Sequence, residues 1–329
     1  MKKKIKVLVT GADGFIGSHL TELLYDSGYD VSALALYNSF NNWGWLEDIK
    51  NKNKIKILTG DIRDPNFCRK IVKNKDIIFN LAALIAIPYS YESPQSYIDT
   101  NISGTINLCE AAKESNCKHF IQTSTSEVYG TAKYVPIDEK HPLQPQSPYS
   151  ASKIGSDSIA LSFYSSFDLP VTLIRPFNAY GPRQSSRAII PSIITQIASG
   201  SKALQLGDTS PTRDFTLVTD LCKCILKIVK NRKTIGQTIN IGTGKEISIK
   251  NLVYEIKSVM NSDIKIISSK ERFRPKKSEV FRLCCDNSLL KSLTNYSPKT
   301  SFREGLIETI NWFNDPINLS KYKSKIYNI

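Results

Sequence analysis

Residues 124–130 read STSEVYG, so three hydroxyls, Ser124, Thr125 and Ser126, stand directly before a carboxylate, Glu127. Further along, SPYSASKIGSD holds Tyr149 and Lys153. Four residues apart on a helix, these two share one face. An ammonium beside a phenol favours the phenolate and lowers a pKa that starts near ~10. Such a phenol can take a proton from a hydroxyl while the carbon beneath it loses hydride. A carboxylate such as Glu127 can take a proton from a carbon made acidic by a neighbouring carbonyl. A tyrosine–lysine pair alone is common on helices, and a polar strand-to-loop turn would also explain STSE. The pattern gains meaning only if the chain also holds a hydride acceptor.

That requirement points to the N-terminal stretch VTGADGFIGSHL. Gly11, Gly14 and Gly17 follow a strand-like run and lead into a helical one. Glycines at this spacing let the backbone turn tightly and approach a diphosphate, while the helix N-terminus offers free N–H groups and a favourable dipole. Gly11, Gly14, Phe15, Ile16 and Gly17 are therefore candidate cofactor contacts.

The elements that must position these groups follow from the apolar pattern. Strand-like runs occupy 5–10, 30–36, 55–61, 76–83, 119–125 and 170–176, and helical stretches lie near 15–27, 94–116 and 148–167. Continuous apolar strands alternating with helices predict a parallel sheet covered on both faces, a Rossmann-type doubly wound α/β fold. After Arg175 the rhythm is less regular. Helices are predicted near 188–199, 219–230, 248–260 and 302–314, and the second half is expected to pack onto the first as a smaller mixed α/β substrate-binding lobe that covers a cleft.

The composition narrows the class. The chain has 329 residues, 41% of them hydrophobic, which suffices for a large core. It has no apolar run of the roughly 18–20 residues a membrane helix needs. The start, MKKKIKVLVTGADG, lacks the long apolar segment of a signal peptide. Seven cysteines without a CxxC pair predict reduced thiols, a cytoplasmic setting and no metal site. The net charge of +14 comes from scattered lysines, with no basic helix interleaved with aromatics. No nucleic-acid partner and no membrane are expected, and a basic cleft for an anionic substrate stays open.

The G-x-x-G-x-x-G loop, GDIRD after the third strand, NLAA after the fourth and the Tyr149–Lys153 pair together resemble the extended short-chain dehydrogenase/reductase family, in its NAD-dependent epimerase/dehydratase branch. The resemblance implies that Asp61 reaches the adenine, Ile62 packs beside it, and Leu81, Ala82 and Ala83 run along the cofactor. It makes Thr125, Tyr149 and Lys153 the catalytic hydroxyl, base and lysine, with Tyr149 and Lys153 also at the cofactor. Asn101 would face the cofactor, with a helix cap as the alternative. Ser90 would face a sugar. Asn178 of RPFNAYGPRQ, Arg213 of PTRDFTLVTD and Arg274 of RFRPKKSEV would bind a substrate diphosphate, since guanidinium forks suit phosphate oxygens; surface ion pairing is the alternative for each arginine. Ala35 falls where NAD-binding relatives carry an acid at the end of the second strand. The resemblance favours NAD, and Ala35 leaves NADP open.

Three stretches, TSTSEVYGTA, YNSFNNWGWLEDI and GPRQSSRAIIPSIITQI, resemble the nucleotide-sugar 4,6-dehydratases of legionaminic acid biosynthesis. That implies GDP-linked N-acetylglucosamine as substrate, or the UDP-linked sugar, converted to a 4-keto-6-deoxy product by transient hydride transfer to bound NAD(P). Such dehydratases usually read Thr-Asp-Glu where this chain has Thr125, Ser126 and Glu127, and the Thr-Ser-Glu order is found in nucleotide-uronic acid decarboxylases. A decarboxylase or an epimerase is therefore the alternative. A non-catalytic cofactor-sensing regulator is disfavoured by the presence of Tyr149 and Lys153. Trp43 and Trp45 are expected either in the core or beside the cofactor or sugar. The resemblance also implies a homodimer through a four-helix bundle built from helices near 100–115 and 149–167, with Leu108, Ile159 and Phe163 in contact. It divides the chain into a dinucleotide-binding domain, 1–176 plus about 215–243, and a nucleotide-sugar-binding lobe, about 177–214 plus 244–329.

Overall fold

The computed structural model describes residues 4–323 and 326. In chain order its first half runs β1 (Lys6–Thr10), α1 (Phe15–Asp26), β2 (Asp30–Leu36), β3 (Lys56–Gly60), α2 (Pro65–Val72), β4 (Ile77–Asn80), α3 (Ile87–Glu92), α4 (Pro94–Tyr97), α5 (Gly104–Glu114), β5 (His119–Thr123), α6 (Pro148–Phe167) and β6 (Val171–Pro176). The second half continues with β7 (Asn178–Tyr180), α7 (Ile189–Ala198), β8 (Ala203–Leu206), β9 (Thr212–Leu217), α8 (Val218–Val229), β10 (Thr238–Ile241), β11 (Glu246–Ser248), α9 (Ile249–Val259), β12 (Lys265–Ser268), α10 (Ser288–Thr294), α11 (Phe302–Asn314) and α12 (Pro316–Ser320).

Seven strands form one parallel sheet in the order β10-β6-β5-β4-β1-β2-β3. Its strands read as unbroken apolar runs because both faces are covered. On one face Leu20 and Leu24 of α1 meet Leu221, Ile225 and Ile228 of α8 over Val7, Val9 and Ile239. On the other, Cys68 of α2, Leu108 of α5 and Ala160 and Phe163 of α6 pack on Leu8, Ile78 and Phe120. This is the Rossmann-like doubly wound arrangement expected from the sequence. β1 lies between β2 and β4, so the strand order reverses there, and a crevice opens beyond the carboxyl ends of β1 and β4. A smaller mixed lobe has its own core, in which Tyr180, Ile193, Leu217, Leu252, Ile256, Leu306 and Phe313 pack together. Its sheets are short: β11-β9-β7 and the pair β12-β8.

Two expectations change. The helix predicted over 94–116 is interrupted by a π-helical turn, Ile98–Ser103, between α4 and α5. The cause is tertiary: buried Asn101 in this turn is held by the backbone of Leu84 and the Ser152 hydroxyl, and π-turns of this kind are where a helix gives up regular spacing to place one side chain. Second, Leu108 and Phe163 were expected to meet a partner subunit, but both are buried inside the protomer because α5 and α6 turn those faces to the sheet. Among the described residues no helix is long and apolar enough to cross a membrane.

Candidate active site

The glycine loop joins β1 to α1 against the chain leaving β4. Gly11 has φ +64, and a Cβ there would come within 2.8 Å of the Ala82 nitrogen. Gly17 is equally constrained, because a side chain on it would run into the Gly11 carbonyl. Thr10 locks the junction: its hydroxyl donates to Asn80 Oδ1 (2.8 Å) and accepts the N–H groups of Leu81 (3.2 Å) and Ala82 (3.1 Å). At the start of α1, Gly14 offers no side-chain cap, so first-turn N–H groups are left for an anion. These are the features a dinucleotide diphosphate needs, and the fit rests on this uncapped terminus and on glycines that no larger residue could replace.

The glycine loop opens onto a cleft of about 1490 Å³. Gly11, Gly14, Phe15, Ile16, Gly17, Asp61, Ile62, Leu81, Ala82 and Ala83 line it, as do Thr125, Ser126, Glu127, Tyr149, Lys153, Asn178, Arg213 and Arg274. Residues from both halves of the chain thus face one space. Ser90 and Asn101 do not. Ser90 is fully buried in α3, where its hydroxyl donates back to the Ile87 carbonyl at 2.6 Å. Asn101 spends its carboxamide on Leu84 N (2.9 Å), Leu84 O (3.0 Å) and Ser152 Oγ (2.9 Å). It is neither a cleft contact nor a helix cap; it ties the cleft wall to α6.

The STSE stretch lies where β5 ends. Thr125 is extended, and its Oγ1 caps the following 3₁₀ turn by accepting the Glu127 N–H at 3.2 Å. This turn sends Glu127 into the cleft. Ser124 also lines the cleft, and its hydroxyl donates to buried Asp157 at 2.6 Å. α6 begins at Pro148 behind a capping box in which Ser147 and Ser150 satisfy each other's backbone. Tyr149 therefore sits in the first turn, with Lys153 one turn on.

Tyr149 is 7% exposed and meets the Tyr97 ring edge-on at 6.2 Å. Burial pushes its phenol pKa upward, opposed by a hydrogen bond from Thr125, while the nearby Glu127 carboxylate adds to the rise. Lys153 donates its ammonium to the Thr123 carbonyl at 2.6 Å. Burial lowers the Lys153 pKa, and Asp157 opposes that shift. The expected lowering of the phenol by the ammonium is therefore not the dominant effect; removal of both groups from water is.

At the far wall the two arginines face carboxylates. Arg213, 6% exposed, donates to the Thr212 carbonyl (2.8 Å) and to Glu279 (3.3 Å). Burial lowers its pKa, and Glu127 and Glu279 oppose this while Arg274 adds to it. Arg274 lies 3.9 Å from Glu127 and 3.7 Å from Glu279. Asn178 presents a buried carboxamide oxygen without a hydrogen-bond partner.

Glu279, Arg183 and Arg187 also line the cleft and were not picked out from the sequence. Glu279 is the single acid in RFRPKKSEV, a signal for a partner to the arginines around it. Arg183 is held by Glu22 at 2.7 Å, and Arg187 is exposed. Trp43 packs on the core under α1, whereas Trp45 lines the cleft and packs on Trp312 and Tyr322.

Residues 8–309 match the family model described as GDP-mannose 4,6 dehydratase. The low-salt glycan biosynthesis protein of Haloferax volcanii is 33% identical over 93% of this chain and 98% of its own length. The crystal structure of a dTDP-glucose 4,6-dehydratase from Streptomyces venezuelae with NAD bound has a TM-score of 0.86 and 28% identity, covering 95% of this chain and 98% of that one. A UDP-N-acetylglucosamine 4-epimerase from Methanobrevibacter ruminantium has a TM-score of 0.84 and 33% identity, covering 94% and 98%.

Proposed function

This chain belongs to the GDP-mannose 4,6-dehydratase family of nucleotide-sugar dehydratases and epimerases, and from that premise we propose that it is a nucleotide-sugar 4,6-dehydratase acting on GDP-linked N-acetylglucosamine, or its UDP-linked counterpart. The observation that carries the reading is the placement of Glu127: its carboxylate enters the cleft from the turn that Thr125 caps, close enough to Tyr149 to raise the phenol's pKa. Epimerisation at C4 needs one base, whereas dehydration needs a second to remove a carbon-bound proton.

The glycine loop, Asp61, Ile62 and the segment Leu81–Ala83 would hold a nicotinamide dinucleotide, with NAD favoured by the related structure that contains it. When bound, that group supplies a reversible hydride acceptor beside the sugar. Thr125 orients the O4 hydroxyl and Tyr149 takes its proton, with Lys153 behind it on the same helix. Once C4 is a carbonyl, the C5 proton is acidic, and Glu127 removes it as the C6 hydroxyl leaves as water. Ser126 stands where related dehydratases carry the acid that protonates that leaving group; either it relays a proton through a water, or Glu127 delivers there the proton it has taken from C5. Arg213, Arg274 and Asn178 bind the diphosphate, on the lobe of about 177–214 plus 244–329, opposite the dinucleotide domain of 1–176 plus about 215–243.

A second reading is favoured by Ser126, which supplies no acid for the leaving hydroxyl. An epimerase, like the relative from Methanobrevibacter ruminantium, needs none, and a decarboxylase of nucleotide-uronic acids also does without it. Incubation with GDP- and UDP-linked N-acetylglucosamine and uronic acids, followed by mass spectrometry, separates the three. Loss of one water supports the dehydratase; a product of unchanged mass or loss of carbon dioxide refutes it.

A further inference from the structure

The glycine loop carries one acidic side chain, Asp13, for which the chemistry above has no use. It lies where the second strand ends. Within β2, Ala35 is fully buried and does not line the cleft, and the strand finishes at exposed Leu36. Asp13 reaches across to that end: its Oδ2 accepts the Leu36 N–H at 3.0 Å. Its carbonyl accepts the Trp45 N–H, also at 3.0 Å. Gly44 closes over it with φ +55, so tightly that a Cβ there would lie 2.6 Å from the Asp13 carbonyl oxygen and 3.1 Å from its Cβ.

The loop that makes this clamp is itself ordered. Asn38 accepts the N–H groups of Phe40 (3.1 Å) and Asn42 (3.3 Å) and donates to the Asn42 carbonyl (2.7 Å). Asn42 in turn accepts the Gly44 N–H. The sequence YNSFNNWGW thereby fixes a carboxylate at the edge of the cleft, beside Gly11 and Gly14. Burial raises the Asp13 pKa, and the Leu36 and Asp13 N–H groups oppose that rise. Two cations at this end of the cleft are already committed to carboxylates: Arg63 to Asp61, and Lys321 to Asp48.

An acid at the end of the second strand accepts hydrogen bonds from the adenosine ribose hydroxyls and repels a 2′-phosphate. We infer that Asp13 performs this task from the glycine loop in place of the missing strand residue, so that the site selects NAD over NADP. The inference rests on the dinucleotide reading of the cleft and identifies which residue sets its preference.

The test has two parts. Purified protein is denatured and the released dinucleotide identified by mass spectrometry. The protein is then titrated with NADH and with NADPH, following energy transfer from tryptophan to the nicotinamide. Wild type should release NAD and bind NADH roughly ten-fold or more tighter than NADPH, because a 2′-phosphate would meet an unpaired carboxylate. Asp13→Asn keeps the size and an acceptor for Leu36 but removes the charge, and should bring the two affinities to within about three-fold. Equal binding of NADPH and NADH by wild type would overturn the inference without any variant. So would an unchanged preference in an Asp13→Asn protein of normal melting temperature. Failure to release or bind either dinucleotide would instead refute the dinucleotide reading on which the inference stands.

Discussion

Glu127 Oε2 and Arg274 Nη1 stand 3.9 Å apart across the cleft, and Glu279 lies 3.7 Å from the same guanidinium nitrogen. One arginine thus links the proposed C5 base to the wall proposed for the diphosphate. A pair at this distance is loose, and the Arg274 side chain is 28% exposed, so the link can reorganise when an anion arrives.

Replacing the two arginines should therefore have different consequences. Arg274→Ala should weaken nucleotide-sugar binding by roughly 1.5–3 kcal/mol, the range for charge-assisted hydrogen bonds, and leave the melting temperature nearly unchanged. Arg213→Ala should weaken binding similarly and also lower the melting temperature, because it removes a buried partner of Glu279. Titration calorimetry and thermal melts measure both. Normal binding by both variants would place the diphosphate elsewhere.

Tyr149→Phe should fold and retain the dinucleotide while turnover falls by about 10²-fold or more, the loss expected for a general base. Its ring packs with Ile87 and Tyr97, contacts that phenylalanine keeps, so the melting temperature should hold. Wild-type turnover in this variant would remove Tyr149 from the reaction.

Two histidines, buried His119 and half-buried His19, predict acid sensitivity. His119 is 5% exposed, its Nε2 lies 2.8 Å from the Thr172 hydroxyl, and burial lowers its pKa from 6.5 to about 4. His19, beside Arg183 and the Pro182 carbonyl, is likewise lowered to about 4. The unfolded chain takes up these protons first as pH falls, so the neutral rings contribute full stability above 6.5 and lose it progressively toward 4. For His119 the total is on the order of 3 kcal/mol. Urea unfolding at about pH 7.5 and about pH 5 should show a smaller drop for His119→Gln than for wild type, since only the imidazole titrates in this range. An identical drop would mean other groups govern the acid response.

The large sheet was legible because its strands are continuous apolar runs buried on both faces. The lobe's helices were legible as well, α7, α9 and α11 falling on the stretches predicted near 188–199, 248–260 and 302–314, but its strands were not, since β7 and β11 have three residues each and β12 is exposed along its length, leaving no period to read. The glycine loop, STSE and the tyrosine–lysine pair announced themselves by type and spacing, and all face the cleft. Ser90 misled because a hydroxyl's direction depends on the α3 turn, which returns it to Ile87. The π-turn at Asn101 was invisible because its cause lies at Leu84 and Ser152. Asp13 stood in plain view within the glycine loop, but its partner Leu36 lies across the sheet edge, and only folding brings the two together.

The most direct test of the account is a reaction in deuterium oxide with GDP-linked and UDP-linked N-acetylglucosamine, comparing wild type with Glu127→Gln. Glutamine keeps the size of the side chain but cannot accept the C5 proton. With one of the two sugars, wild type should give a product lighter by one water and carrying solvent deuterium at C5, whereas Glu127→Gln should give neither dehydration nor exchange at C5. A wild-type product isomeric with the substrate and free of deuterium at C5, or exchange in Glu127→Gln at the wild-type rate, would contradict the role assigned to this carboxylate.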